Sequence, residues 1–169
     1  MPEIDPDARE VLRALPEGLV HEIEAAELPG LADGPLQPVV ADRLEALERN
    51  AWATGPRRIA CLSGLWLLAG DLQRSHTHSQ SLSTPEGSFW HGIMHRREGD
   101  FMNAKYWFRR VGNHPVIDRL AGLDGVRYRS ADTFVDACAT AIREGGDAEQ
   151  ACRQLQWREW QWLMTHCLR

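Results

Sequence analysis

The sequence predicts an all-α fold, and three observations predict it. No stretch alternates apolar and polar residues cleanly, none is a run rich in Val, Ile and Thr, and no Asn-Gly hairpin turn occurs. Pro and Gly punctuate the chain at helix-length intervals. Between them, apolar residues recur at spacings of three and four. Residues 1–35 read as short helices broken at Pro16, Pro29 and Pro35, an acidic arm or cap. Val39 to Arg49 sets Val40, Leu44 and Leu47 on one side against charges on the other, an amphipathic helix. Gly55-Pro56 breaks the chain, and Arg57 to Ala69 reads as a buried helix. Ser130 caps a helix with Phe134, Cys138 and Ile142 on one face, ending at Gly145-Gly146. Asp147 then makes a capping box with Gln150, and the last helix lays Trp157, Trp160, Met164 and Cys167 along one stripe. The expected organisation is one domain: the arm over 1–35, then a helical domain over 36–169.

The middle of the chain repeats itself faintly. Gly70-Asp71-Leu72-x-x-Ser75 aligns with Gly99-Asp100-Phe101-x-x-Ala104 at an offset of 29 residues. Leu82 falls on Val111, and Pro85 and Pro115 follow the two copies. Gly suits the end of one helix and Asp the start of the next, so each copy (57–85 and 86–115) is expected to be helix, Gly-Asp turn, helix. The second copy, with Gly92, Gly99-Asp100-Phe101, Ala104, Phe108 and Pro115, looks like a tetratricopeptide-type helical hairpin. That resemblance implies close helix contact at the small residues and a stop at the proline.

Length and composition bound the function. At 169 residues and 19.1 kDa the chain can build one real core. Residues 1–50 hold 12 acidic and 4 basic residues, a net of −8, and residues 51–169 hold 12 and 15, a net of +3. The overall −5 argues against a general nucleic-acid partner and leaves room for a local cationic site. The longest apolar run, Leu62 to Leu72, is interrupted by Ser63, Gly64, Gly70 and Asp71, so no membrane span is expected. Met1-Pro2-Glu3-Ile4-Asp5 does not read as a secretory leader. Cys61, Cys138, Cys152 and Cys167 lie far apart without a C-x-x-C pair, which reads as free thiols in a reducing cytoplasm. Walker, G-x-G-x-x-G and G-x-S-x-G signatures are absent, against a nucleotide-dependent or α/β-hydrolase enzyme.

Chemistry concentrates at His91, His95 and Glu98, which at i, i+4 and i+7 share one helix stripe. Two imidazoles one turn apart can chelate a divalent metal, with Glu98 as third ligand or base; without metal, the three are candidate acid/base catalytic groups. An isolated H-x-x-x-H is more often two partly exposed histidines, so the neighbourhood matters. At the repeat offset, these three replace Leu62, Trp66 and Ala69, an apolar stripe that packs inward. The preceding run Ser75-His76-Thr77-His78-Ser79-Gln80-Ser81 is polar throughout and, in stacked hairpins, lies against them. His76, His78 and Gln80 are therefore candidate ligand contacts; the competing reading is a solvated face. Arg96, Arg97, Lys105, Arg109 and Arg110 with Glu98 and Asp100 net +3, and Arg97, Lys105 or Arg109 are candidates to hold a carboxylate or phosphate. Salt bridges to the acidic arm are the alternative for them. Of Tyr106, Trp107 and Phe108, one can line a pocket. His21, His114 and His166 read as structural histidines.

Trp90-His91-x-Ile93-x-His95-Arg96-Arg97-Glu98-x-Asp100-Phe101-x-Asn103-Ala104-Lys105-Tyr106-Trp107-Phe108-Arg109-Arg110-Val111-Gly112-x-His114-Pro115 resembles a family of uncharacterised proteins, over roughly residues 75–115. The resemblance implies no activity. Two functions remain open from sequence. One is a cytoplasmic binder of a small anion or a metal in a histidine-lined pocket, as an enzyme or not. The other is a tetratricopeptide-like adaptor holding a peptide in a groove. Anion ranks above metal because no third histidine sits at a diagnostic spacing. The Trp-rich C-terminal helix is a candidate oligomer contact.

Overall fold

Prolines open five of the helices and glycines close several, as the punctuation predicts. The computed structural model describes residues 3–16, 18–49, 52, 54–123 and 128–169, and residues 1, 2 and 17 of the expected arm lie outside that set. Among the described residues ten helices and no strand are present. They are α1 (Pro6–Leu12), α2 (Leu19–Ala25), α3 (Pro38–Glu48), α4 (Pro56–Ala69), α5 (Leu72–Gln80), α6 (Pro85–Glu98), α7 (Phe101–Val111), α8 (Pro115–Ala121), α9 (Ala131–Glu144) and α10 (Gly146–Leu168). Proline at a helix start costs nothing, because its missing N–H is one the helix cannot use there.

The two copies are built alike. Gly70 and Gly99 both turn left-handed, at φ 86° and 89°. The Gly70 N–H bonds Leu67 O at 3.3 Å and the Asp71 N–H bonds Trp66 O at 3.0 Å; Gly99 and Asp100 repeat this onto Arg96 O and His95 O at the same distances. Asp71 and Asp100 then cap the following helices, accepting from Arg74 N at 2.9 Å and Asn103 N at 3.1 Å. Each hairpin is thus a helix, a one-residue left-handed reversal and a second helix. α5 packs between α4 and α6, and α7 continues the row to α9.

α10 lies against α4, α9, α1 and α8. It buries Trp157, Trp160, Trp162, Leu163 and Met164 within the chain, and the Trp157 and Trp160 rings stack at 5.1 Å. Their N–H groups are all used. Trp157 donates to Glu3 O, Trp160 to Gly64 O and Trp162 to Asp5 Oδ2, at 3.0, 2.7 and 3.2 Å. These bonds pin the N-terminal segment, whose Ile4, Ala8, Leu12, Leu19 and Ile23 join the same apolar core as the hairpins. One difference from the sequence expectation appears at the start of α10. Gly145 and Gly146, at φ 68° and 62°, complete the reversal by themselves, so Asp147 lies inside the first turn and caps nothing. Among the described residues no helix is long and apolar enough to cross a membrane.

Candidate metal centre

Hairpin geometry decides which side chains meet. Two residues at equal distance from the reversing glycine stand at the same level on the two helices. His95 and Asn103 are each four residues from Gly99, and His91 and Trp107 are each eight. The Asn103 amide accordingly reaches His95 Nε2 at 3.0 Å, and the His91 ring stacks on Trp107 with centroids 3.8 Å apart at 12°. One turn apart on α6, the His91 and His95 rings lie 4.8 Å apart at 20°. His76 arrives from α5, its ring edge-on to His91 at 4.7 Å and to His95 at 5.5 Å. One nitrogen from each of His76, His91 and His95 lies within 4.8 Å of the others.

The third member of this set is His76 rather than Glu98. Glu98 is the last residue of α6 before Gly99, and its side chain is 55% exposed at the rim. From there its Oε2 accepts from His95 Nδ1 at 3.0 Å. That bond places the proton of a neutral His95 on Nδ1 and leaves Nε2 as the lone-pair nitrogen, which the Asn103 amide now faces. A carboxylate behind a histidine is the usual outer partner of a metal-binding imidazole, fixing its tautomer and orientation.

His91 is 3% exposed, and its Nδ1 has no hydrogen-bond partner. Burial, then the charges of His95 and His76, push its pKa down to about 3. Burial and then His95 also lower His76, against a smaller opposing pull from Glu98. Both are therefore neutral imidazoles near pH 7, the form that binds metal. In a tetrahedral zinc site, ligand nitrogens about 2.1 Å from the ion stand about 3.4 Å apart, so shifts of about 1 Å close this set around an ion.

The other sequence candidates lie elsewhere. His78 Nε2 is 2.7 Å from Glu48 Oε1, which also accepts from Trp66 Nε1 at 2.7 Å. Gln80 is exposed at the end of α5. Arg97 is buried and donates to the carbonyl of Leu67. Lys105 pairs with Asp136 at 2.6 Å and Arg109 with Asp132 at 3.0 Å, both on α9 rather than on the acidic arm. The basic cluster is thus dispersed, with Lys105 and Arg109 paired to carboxylates, Arg97 bound to a carbonyl and Arg110 over the Tyr106 and Trp107 rings. The cleft beside the histidines is lined instead by Asp33, Asp71 and Glu98, with no Lys or Arg among its lining residues. Sequence reading passed over Asn103, although its level across the Gly99 turn from His95 was available to find it.

A second group, Glu86, His114 and His166, also brings its ligand atoms within 4.8 Å of one another. Glu86 Oε1 is 3.3 Å from His166 Nε2 and 3.9 Å from His114 Nε2. Here the tautomer argues against a metal. The Val116 N–H donates to His114 Nδ1 at 3.2 Å, so the neutral ring carries its proton on Nε2, pointing at Glu86. This group is a carboxylate facing imidazole donors.

No protein-family model, curated protein or solved structure matches the chain, so the functional reading rests on the geometry of the histidines.

Proposed function

We propose that the protein binds one divalent transition-metal ion, of which zinc is the reference, through His76, His91 and His95. The observation that carries this reading is the convergence of three mutually adjacent imidazoles, one of which, His91, has a buried and unpartnered Nδ1. Buried polar atoms are nearly always paired, so an unpartnered nitrogen on one of three clustered imidazoles supports a bound ligand. The cleft at the site is acidic, which favours a cation over the carboxylate or phosphate that composition first suggested. Arg97, Lys105 and Arg109 are committed to protein partners, which removes support from the anion reading and from a peptide groove lined by them. Three protein ligands leave the fourth tetrahedral position for water, whose pKa such an ion lowers toward about 7.

Calorimetric titration of tag-free protein with zinc chloride at pH 7.5 tests this. The expected result is one ion per chain, lost in His76→Ala, His91→Ala and His95→Ala. Glu98→Gln, which keeps the shape but weakens the pull on His95, is expected to bind about 10–100-fold more weakly. Binding no tighter than about millimolar in the unmutated protein overturns the proposal.

A further inference from the structure

The four cysteines fall into two pairs that their spacing in the chain hides. Cys61 meets Cys167 in the core, where both are essentially inaccessible. Cys138 and Cys152 meet between α9 and α10, and three observations set them apart. First, each stands seven residues from Gly145, the corner of that hairpin, so both lie about two turns back at one level across the helix interface. The same rule of equal distance holds for His95 with Asn103 and His91 with Trp107. Second, their thiols are close enough to perturb each other's ionisation in opposite directions. Third, their access differs: Cys138 is fully buried, whereas Cys152 is partly exposed and lines an open cleft with Ala137, Ala141, Ala148 and Ala151. Small side chains there let the two helices approach closely.

We infer that Cys152 and Cys138 form a peroxide-responsive dithiol, with Cys152 the attacking thiol and Cys138 the resolving one. The Cys152 thiolate attacks one oxygen of hydrogen peroxide; the O–O bond breaks, hydroxide leaves and is protonated to water, and Cys152 becomes a sulfenic acid. The Cys138 sulfur then attacks Cys152 Sγ, the S–O bond breaks, and a second water leaves with the Cys138 proton. Two thiols thus lose two electrons and two protons to one peroxide, giving two waters and a disulfide between α9 and α10. The environment suits the division of roles. The neighbouring Cys138 thiol lowers the Cys152 thiol against the opposing effect of burial, and Arg96 adds to the lowering. Cys138 itself is raised, by the Cys152 thiol and by burial, and stays a thiol until the sulfenic acid forms.

Intact-mass analysis of the full chain after graded hydrogen peroxide, with EDTA present to suppress metal-catalysed oxidation, tests the assignment. The expected result is a loss of about 2 Da, reversed by dithiothreitol and mapped by peptide analysis to Cys138–Cys152, with Cys61 and Cys167 still reduced. In Cys138→Ser, Cys152 lacks its resolving partner and is expected to gain two oxygens as a sulfinic acid. In Cys152→Ser, Cys138 is expected to stay reduced at the same dose. Circular dichroism and urea melts establish that each variant is folded. Cys152 overoxidised in the unmutated protein, a Cys61–Cys167 disulfide forming first, or Cys138 oxidised equally fast in Cys152→Ser each overturns the inference.

Discussion

The hairpins α4–α5 and α6–α7 share a turn bond for bond, yet their first helices offer opposite chemistry to the second. In the first, Leu62, Trp66 and Ala69 are all buried, and the polar end of Trp66 is satisfied by Glu48 while Arg74 stacks over its ring at 4.4 Å. In the second, the equivalent positions are His91, His95 and Glu98, and Asn103 stands where Arg74 does. The backbone needs only the Gly-Asp turn and a helix of the same length, so the inward stripe is free to vary. One copy spends it on packing. The other places two imidazoles there and leaves a nitrogen of His91 without a partner. A local departure from good packing, on a backbone shown next door to accept good packing, is what the proposed metal site predicts.

The largest expected effect concerns another polar replacement. Arg96 occupies the position of Leu67, is fully buried, and is held by both carboxylate oxygens of Glu159 and by Gln156 at 3.2 Å. Its guanidinium also lies over the Phe134 ring at 4.6 Å. Glu159→Ala leaves that charge buried and uncompensated, and is expected to cost about 3–5 kcal/mol in urea unfolding. Arg96→Leu combined with Glu159→Leu, which copies the first hairpin, is expected to recover most of the loss. A single-variant loss under about 1 kcal/mol would show that the two stripes are interchangeable here.

A smaller effect separates the two turns. An alanine at 99 meets nothing within 4 Å, so Gly99→Ala is expected to cost only the left-handed strain, about 1–2 kcal/mol. At 70 the new Cβ stands 2.6 Å from the carbonyl oxygen of Pro35, in a segment tied to α4 by Gln37 N–H to Ala69 O at 2.7 Å. Gly70→Ala is therefore expected to lose about 1–3 kcal/mol more. Equal midpoints for the two variants, measured with unchanged m, contradict the account of the segment 35–37 as fixed backbone.

Much of this comparison was legible in the sequence because it is local. The Gly-Asp turns, the cap at Ser130, the amphipathic stretch 39–49 and the i, i+4 relation of His91 and His95 depend on neighbours in the chain. The role of His76 was legible only as membership of a polar run. Which of His76, His78 and Gln80 meets the second hairpin depends on the rotation of α5, set by packing of Ser75 against Ser63 at 3.0 Å. The destinations of Lys105 and Arg109 were not legible, because both partners lie on α9, more than twenty residues on, across a contact that charge counting does not specify. Nor was the pairing of the cysteines, which follows from where the helices reverse and not from the intervals between thiols. Equal distance from a reversing glycine would have found His95 with Asn103, His91 with Trp107 and Cys138 with Cys152.

The smallest effect is the most direct test of why the second stripe is polar. His91→Leu installs the residue of the first hairpin, Leu62. In the metal-free protein at pH 7.5 its expected change in stability lies within about 1 kcal/mol of zero, since a buried neutral imidazole with an unpartnered nitrogen exchanges for an apolar group of similar size. The pH profile carries the sharper reading. His91 titrates near its ordinary 6.5 in the unfolded chain and at about 3 in the fold. Between those values the unfolded chain binds more protons, so the stability from this group is full above pH 6.5 and is lost as pH falls toward 3. His114, held at about 4 by burial and His166, adds to the same slope and is untouched by the substitution. The urea midpoint of His91→Leu is therefore expected to decline less steeply than that of the unmutated protein between pH 6.5 and 4, while zinc binding disappears. A loss above about 3 kcal/mol at pH 7.5 with unchanged m, and parallel pH profiles, would instead assign the histidines to holding the two hairpins together.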